Sequence, residues 1–183
     1  TRDLSFGYCA RMSDGDDLGH TLPPAKTTAR NEGTKQPAPL PDESPGRFAG
    51  DAKELGRGGM GRVLEVQDVS LGRWVAVKEL LDAGAGSARF VREAQLTARL
   101  EHPGVPPVYE LGQRRDGAPY YAMRRVQGGT LDDALDACAN LEERLVLLPH
   151  LVDVVQTAAY AHSKGILHRD LKPQNVMVGQ FGE

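Results

Sequence analysis

His168-Arg169-Asp170-Leu171-Lys172-Pro173-Gln174-Asn175 gathers a carboxylate, two cations and an amide into one short stretch. It follows a helical period and contains Pro173, so it reads as a loop, the kind of segment on which a rigid scaffold presents chemistry. In that setting Asp170 would accept the proton of an attacking hydroxyl. Lys172 would neutralise charge on a moving phosphoryl group, and Asn175 would ligate a metal ion.

Upstream of the loop, Leu145, Leu148, Val152, Val155, Ala159 and His162 recur every three or four residues. That period predicts a helix over 145–163 with one buried stripe, entered or kinked at Pro149 and ended by Lys164-Gly165. Further back the period is that of strands. Val63–Val69 and Trp74–Lys78 read as a hairpin across Ser70-Leu71-Gly72-Arg73, and Val105–Leu111 and Ala118–Val126 as two more strands across Arg114-Arg115-Asp116-Gly117. Between the pairs, Ser87 is expected to cap a helix running to about Leu100, ended by Pro103-Gly104.

Ahead of the first of these strands stands Gly56-Arg57-Gly58-Gly59-Met60-Gly61-Arg62-Val63. A GxGxxG alone is weak evidence, but context separates its two nucleotide-binding uses. A dinucleotide fold needs the glycines to open a helix, whereas here they lead into a strand. A glycine-rich flap over phosphates fits, because missing side chains let backbone amides approach the oxygens. Lys78 ends the apolar run Val75-Ala76-Val77, either as a snorkelling surface lysine or as a fixed cation on those phosphates. A fixed lysine needs an acidic partner. Glu93, near the edge of the buried helix face marked by Phe90, Ala94 and Thr97, competes for that role with Glu79, Glu101 and Glu110.

Composition bounds the alternatives. The chain has 183 residues, of which 40% are hydrophobic and 26% charged, with a net charge of −3. No global positive field invites nucleic acid, and no run of about 18 apolar residues predicts a membrane span. Cys9 and Cys138 make no disulfide framework and lack metal-site spacing, which reads as reduced thiols in a cytoplasmic location. His20, His102 and His150 offer no metal spacing either. Residues 1–47 hold six of the twelve prolines and no valine or isoleucine. They are expected to be a disordered tail without a clear proline-rich docking consensus.

Taken together, the glycine flap, the Val-Ala-Val-Lys strand and the His-Arg-Asp-Leu-Lys-Pro-Gln-Asn loop resemble a protein kinase of the serine/threonine type, most like bacterial kinases of eukaryotic type. The resemblance runs from about Phe48 to Glu183. It implies an α+β fold of two lobes, with the small β-rich lobe and hinge over 48–126 and part of the large helical lobe over 127–183. It implies ATP and Mg2+ as cofactors and a protein serine or threonine hydroxyl as acceptor. By likeness, Leu55, Gly56, Arg57, Gly58, Gly59, Met60, Gly61 and Val63 form the flap over the nucleotide, and Lys78 is the phosphate-binding lysine paired with Glu93. Ala76 and Met177 sandwich the adenine, Met123 is the gatekeeper, and Arg124, Arg125 and Val126 form the hinge. Asp170 is similar to the catalytic base and Asn175 to a magnesium ligand. Lys172 marks serine/threonine specificity, and Arg169 resembles the arginine that pairs with a phosphorylated activation loop. His168 and His162 look structural.

Several positions depart from that pattern. Two arginines stand in a hinge that usually carries a glutamate and an aromatic. Thr130 takes the place of an acidic ribose contact, and Thr97 that of a larger apolar residue. The family's Asp-Phe-Gly is expected about thirteen residues beyond Asn175, past Glu183. Gln180-Phe181-Gly182 comes too early for it, and Gly179–Glu183 reads as the turn of a short hairpin. The chain is therefore expected to be a fragment of a longer kinase.

Two other readings are a catalytically dead, kinase-like binding module and a kinase-like enzyme acting on small molecules such as aminoglycosides. Lys78, Glu93, Asp170 and Asn175 all count against the first. The second usually carries a shorter loop with glycine beside the aspartate. Leaving the 145–163 stripe wet would forfeit about 1.5–3 kcal/mol per large side chain. These 183 residues alone are therefore expected to be poorly soluble and inactive. Peptide phosphorylation above that of a Lys78→Ala control would overturn this expectation.

Overall fold

The computed structural model describes residues 47–59, 61–81 and 86–182. The expected tail falls, apart from Arg47, outside the described residues, as does Met60 of the glycine flap. In chain order come β1 (Phe48–Arg57), β2 (Gly61–Asp68), β3 (Arg73–Leu80), α1 (Ser87–Thr97), β4 (Val108–Gln113) and β5 (Pro119–Arg124). There follow β6 (Gly128–Thr130), α2 (Leu131–Ala137), α3 (Leu141–Leu145), α4 (Leu148–Ser163), a 3-10 turn at Pro173–Asn175 and β7 (Met177–Gly179).

The first five strands form one antiparallel sheet in the order β1-β2-β3-β5-β4. Strand β3 lies at its centre and is buried from Val75 to Leu80, so its two-residue period sorts side chains between two environments. Val75 and Val77 pack with Val66, Tyr120 and Ala122 on one face, against Phe48 and Leu64. On the opposite face Leu80 packs with Tyr121 and with Phe90 and Ala94 of α1. Lys78 shares the period of Ala76 and Leu80, so it faces α1. Glu79 falls on the other face, where it is buried and paired with Arg62 (2.6 Å) and Arg114.

Several element boundaries differ from those read in the sequence. Helix α1 starts at Ser87 with Gly86 as its N-cap and ends at Thr97, so Ser87 is the first helical residue and not the cap. Strand β4 begins at Val108 and not at Val105. Pro106 and Pro107 have no N–H to give a ladder, although the Pro107 carbonyl still accepts from the Arg124 amide at 3.0 Å. The single helix expected over 145–163 is two, α3 and α4. Pro149 cannot donate to the carbonyl four residues earlier, at Leu145, which is where α3 stops.

The period of α4 is as expected, but its stripe is not buried among the described residues. Leu145, Leu148, Val152 and Val155 are 50–58% exposed, while Ala161 is buried with Leu100, Val105 and Ile166. The helix closes at Lys164, followed by Gly165 at φ +72°, a left-handed position that glycine fills without a Cβ penalty. Strands β6 and β7 pair antiparallel. Gln180 N–H still donates to the Gln127 carbonyl at 2.8 Å, after which the chain turns through Gly182 N–H to Gly179 O at 3.1 Å with Phe181 93% exposed.

One buried charge ties the start of the described chain to the sheet. Asp68, 1% exposed, accepts from Arg47 at 3.3–3.4 Å and stands 3.7 Å from Arg73, while Arg47 also pairs with Glu110. Burial pushes the Asp68 carboxyl up, but the Arg47 guanidinium, the Leu71 N–H and Arg73 outweigh it and hold it below its ordinary value. A lowered folded value means the contribution is complete above the unfolded aspartate pKa of about 3.9 and lost as pH falls through the folded one. Asp68→Asn is expected to cost about 1.5–3 kcal/mol at neutral pH. Its deficit against the parent should narrow below about pH 4, which denaturant titration across pH would reveal.

Candidate active site

A cavity of about 1000 Å³ opens between the sheet and the segments after β5. Its roof comes from Leu55, Gly56 and Arg57 of β1, Val63 and Glu65 of β2 and Ala76 of β3. Met123, Arg124, Arg125 and Val126 form its back edge, and Asn175, Met177 and Val178 its floor. Register places these groups together, because Ala76 lies opposite Met123 and Glu65 opposite Ala76.

The glycine turn closes through Gly58 N–H to Gly61 O at 2.8 Å. A Cβ on Gly61 would stand 2.4 Å from the Glu79 carbonyl, so the close approach of β2 and β3 requires glycine there. Gly58, Gly59 and Gly61 do not line the cavity.

Lys78 and Glu93 meet at 2.7 Å, with side-chain exposures of 10% and 5%. The pair singles out Glu93 from its competitors. Glu79 is committed to Arg62 and Arg114, and Glu110 to Arg47 and the Tyr120 hydroxyl, while Glu101 is exposed. Glu93 itself lines the cavity.

Across the cleft the loop is held from within. Asn175 Nδ2 donates to the Asp170 carbonyl at 2.7 Å and to Asp170 Oδ2 at 2.9 Å, and Lys172 Nζ stands 3.2 Å from the same Oδ2. Arg169 is the one non-glycine among the described residues with positive φ, +62°. That is a costly backbone state, of the sort that persists at functional sites because the surroundings impose it. His168 borders the cavity, and burial lowers its pKa, partly countered by the Asp170 carboxylate. Asp170 and Lys172 do not line the cavity.

The described residues hold no cluster of three or more His, Cys, Asp or Glu able to bind a metal ion. Asn175 nevertheless fits the ligand role. Its amide nitrogen is spent on Asp170, leaving a buried carbonyl oxygen with no hydrogen-bond partner among the described residues. Such an oxygen suits a hard cation like Mg2+.

The family model for the protein kinase domain matches residues 50–183. This chain belongs to the protein kinase family. It is 37% identical over 147 residues to the serine/threonine-protein kinase PknD of Protochlamydia amoebophila, and 40% over 144 residues to PknD of Chlamydia trachomatis serovar L2b. Those matches cover 72% and 70% of the chain but 15% of either relative, so the chain spans a small part of their length. The crystal structure of the Mycobacterium tuberculosis PknI kinase domain superposes with a TM-score of 0.58 at 30% identity, covering 74% of this chain and 56% of that one. The α+β fold of a partial two-lobe kinase stands on these likenesses together with the curled five-stranded sheet.

The cleft also shows partners that reading the sequence did not give for residues it had named. Thr130 is the N-cap of α2 and forms a capping box with Asp133, so its hydroxyl serves the helix. The Thr130-Leu131-Asp132-Asp133 spacing carried that signal. Arg125 pairs with Glu65 at 3.1 Å, joining the hinge to the strand behind the flap. No local motif announces a pair so far apart in sequence. Arg124 Nε is buried without a hydrogen-bond partner among the described residues.

Disrupting the Glu65–Arg125 clasp is expected to loosen the roof of the cleft. Glu65→Arg or Arg125→Glu alone should weaken nucleotide binding about 2–5-fold, consistent with a partly exposed ion pair. The double exchange should recover most of that loss in a fluorescent-nucleotide titration.

Proposed function

We propose that this chain carries the nucleotide-binding and catalytic-loop part of an ATP-dependent protein serine/threonine kinase, which transfers the γ-phosphoryl group of MgATP to a protein hydroxyl. The observation that carries the reading is the buried Lys78–Glu93 pair, whose Glu93 lines the cleft while Lys78 does not, with His168, Leu171, Gln174 and Asn175 of the loop lining the same cleft. A lysine fixed by a carboxylate can hold phosphate oxygens without swinging away, which is the positioning that phosphoryl transfer demands.

In this reading the adenine lies between Ala76 and Met177, against Met123 and the hinge at Arg124 and Val126. Leu55, Gly56, Arg57 and Val63, which line the cavity, cover the nucleotide, and the turn carrying Gly58, Gly59 and Gly61 is the flap beyond them. Asp170 orients the acceptor hydroxyl and takes its proton as the oxygen attacks phosphorus. Lys172, beside Asp170, offsets negative charge on the phosphoryl group in transit. Asn175 holds Mg2+ through its carbonyl oxygen, and the bound ion supplies charge neutralisation at the phosphates.

The decisive experiment supplies the protein at its natural length with Mg2+ and γ-labelled ATP, offering a protein mixture and, separately, an aminoglycoside. Label is expected on serine and threonine, with Asp170→Asn lowering kcat by about 10²–10⁴-fold. Label on the aminoglycoside alone, or equal labelling by Asp170→Asn, would reject this reading.

A further inference from the structure

The Lys78–Glu93 pair has a third member. Tyr121 of β5 lies directly across the sheet from Lys78 in the antiparallel register. Its hydroxyl donates to Glu93 Oε1 at 3.2 Å, the same oxygen that accepts from Lys78 Nζ at 2.7 Å. Lys78 Nζ stands 5.9 Å from the centre of the Tyr121 ring, and that ring packs on Phe90 of α1 at 5.3 Å. One side chain thus touches the lysine, the glutamate and the helix that carries the glutamate.

We infer that Tyr121 is a positioning residue of this kinase, whose phenol holds the Glu93 carboxylate on Lys78 and so fixes the lysine for the nucleotide. The inference rests on the function proposed above.

Three observations support a role beyond filling space. An aliphatic side chain would satisfy the apolar cluster of Leu80, Phe90 and Ala94, yet this position presents a buried hydroxyl to the carboxylate that pairs with Lys78. Burial first, and then the Glu93 charge, push the phenol well above its ordinary pKa, so it remains a donor throughout the working range. The nearest polar side chain along the helix, Thr97, bonds back to the Glu93 carbonyl and not to its carboxylate. An oxygen that accepts from two donors on neighbouring strands is restricted in position more tightly than one held by a flexible lysine alone. Tyr121 and Thr97 both border the cleft, so this strut stands at the nucleotide's side of the helix.

The test uses Tyr121→Phe, Glu93→Ala and the double variant in the protein at its natural length, read by thermal unfolding, fluorescent-nucleotide titration and phosphotransfer. Tyr121→Phe keeps the ring and its packing. It is expected to leave the unfolding midpoint within about 2 °C while weakening nucleotide affinity and kcat/KM for ATP about 3–10-fold, the scale of one lost hydrogen bond. KM for the protein substrate should stay unchanged. In the Glu93→Ala background the same change should cost nothing more, because the phenol acts through that carboxylate. Wild-type behaviour of Tyr121→Phe, or losses that multiply in the double variant, would overturn the inference while leaving the proposed function intact. If the parent protein transfers no phosphate, the nucleotide titration still decides on Tyr121. If it neither binds nucleotide nor transfers phosphate, both readings fall.

Discussion

An ammonium and a carboxylate buried together at 2.7 Å constrain everything around them. Removing two charges from water costs several kcal/mol each, and only close geometry with further hydrogen bonds repays it. Lys78 sits on the central strand and Glu93 on α1, which packs against that sheet, so the pair forms only if helix and sheet dock in one register. The apolar contacts of Leu80, Phe90, Ala94 and Tyr121 supply the docking, and the charged pair makes a misdocked helix expensive. Stability and function thus impose the same geometry here.

Strand β3 shows how one short sequence serves two purposes. Its alternate residues Val75, Val77 and Glu79 build the outer face, where Glu79 is closed off by Arg62 and Arg114. Ala76, Lys78 and Leu80 share the opposite face, where Leu80 packs on α1 and Ala76 lines the cleft. Lysine and glutamate adjacent in sequence therefore never compete for each other, because successive side chains point to opposite faces. This is also why Glu79, the nearest carboxylate in sequence, is not the partner of Lys78, while Glu93 is.

What the sequence disclosed depended on how local the signal was. The β2–β3 hairpin, the lysine at the end of an apolar strand and the loop at His168–Asn175 lie within short windows whose residue types state their own geometry. Proline positions were visible, but their consequences were only partly read. Pro149 marked the start of α4, yet the lost donor to Leu145 that divides α3 from it went unread, as did the absence of ladder donors at Pro106 and Pro107. Contacts that depend on strand order stayed hidden. Arg125 with Glu65 and Tyr121 with Glu93 are separated by long stretches of chain, and their meeting follows from the β2-β3-β5 adjacency, which no window contains. The expected stripe on α4 had the right period, but a period alone does not say what covers it.

The loop at His168–Asn175 solves a different problem from the buried pair. Asp170 must point its carboxylate outward, where no apolar packing can hold it. The restraint is therefore polar and short-range: the Asn175 amide grips both the carbonyl and the carboxylate of Asp170, and Arg169 adopts a left-handed backbone immediately before it. The same asparagine turns its remaining oxygen to the interior. One side chain thus fixes the group that would receive the proton and offers the oxygen that would bind the ion, so the spacing between those two functions is set by covalent geometry. An aspartate at 175 would bring a second negative charge against Asp170 and lose the donor. A glutamine would move both functions outward by a methylene. The amide of asparagine is the side chain that donates to Asp170 and accepts a cation at that reach.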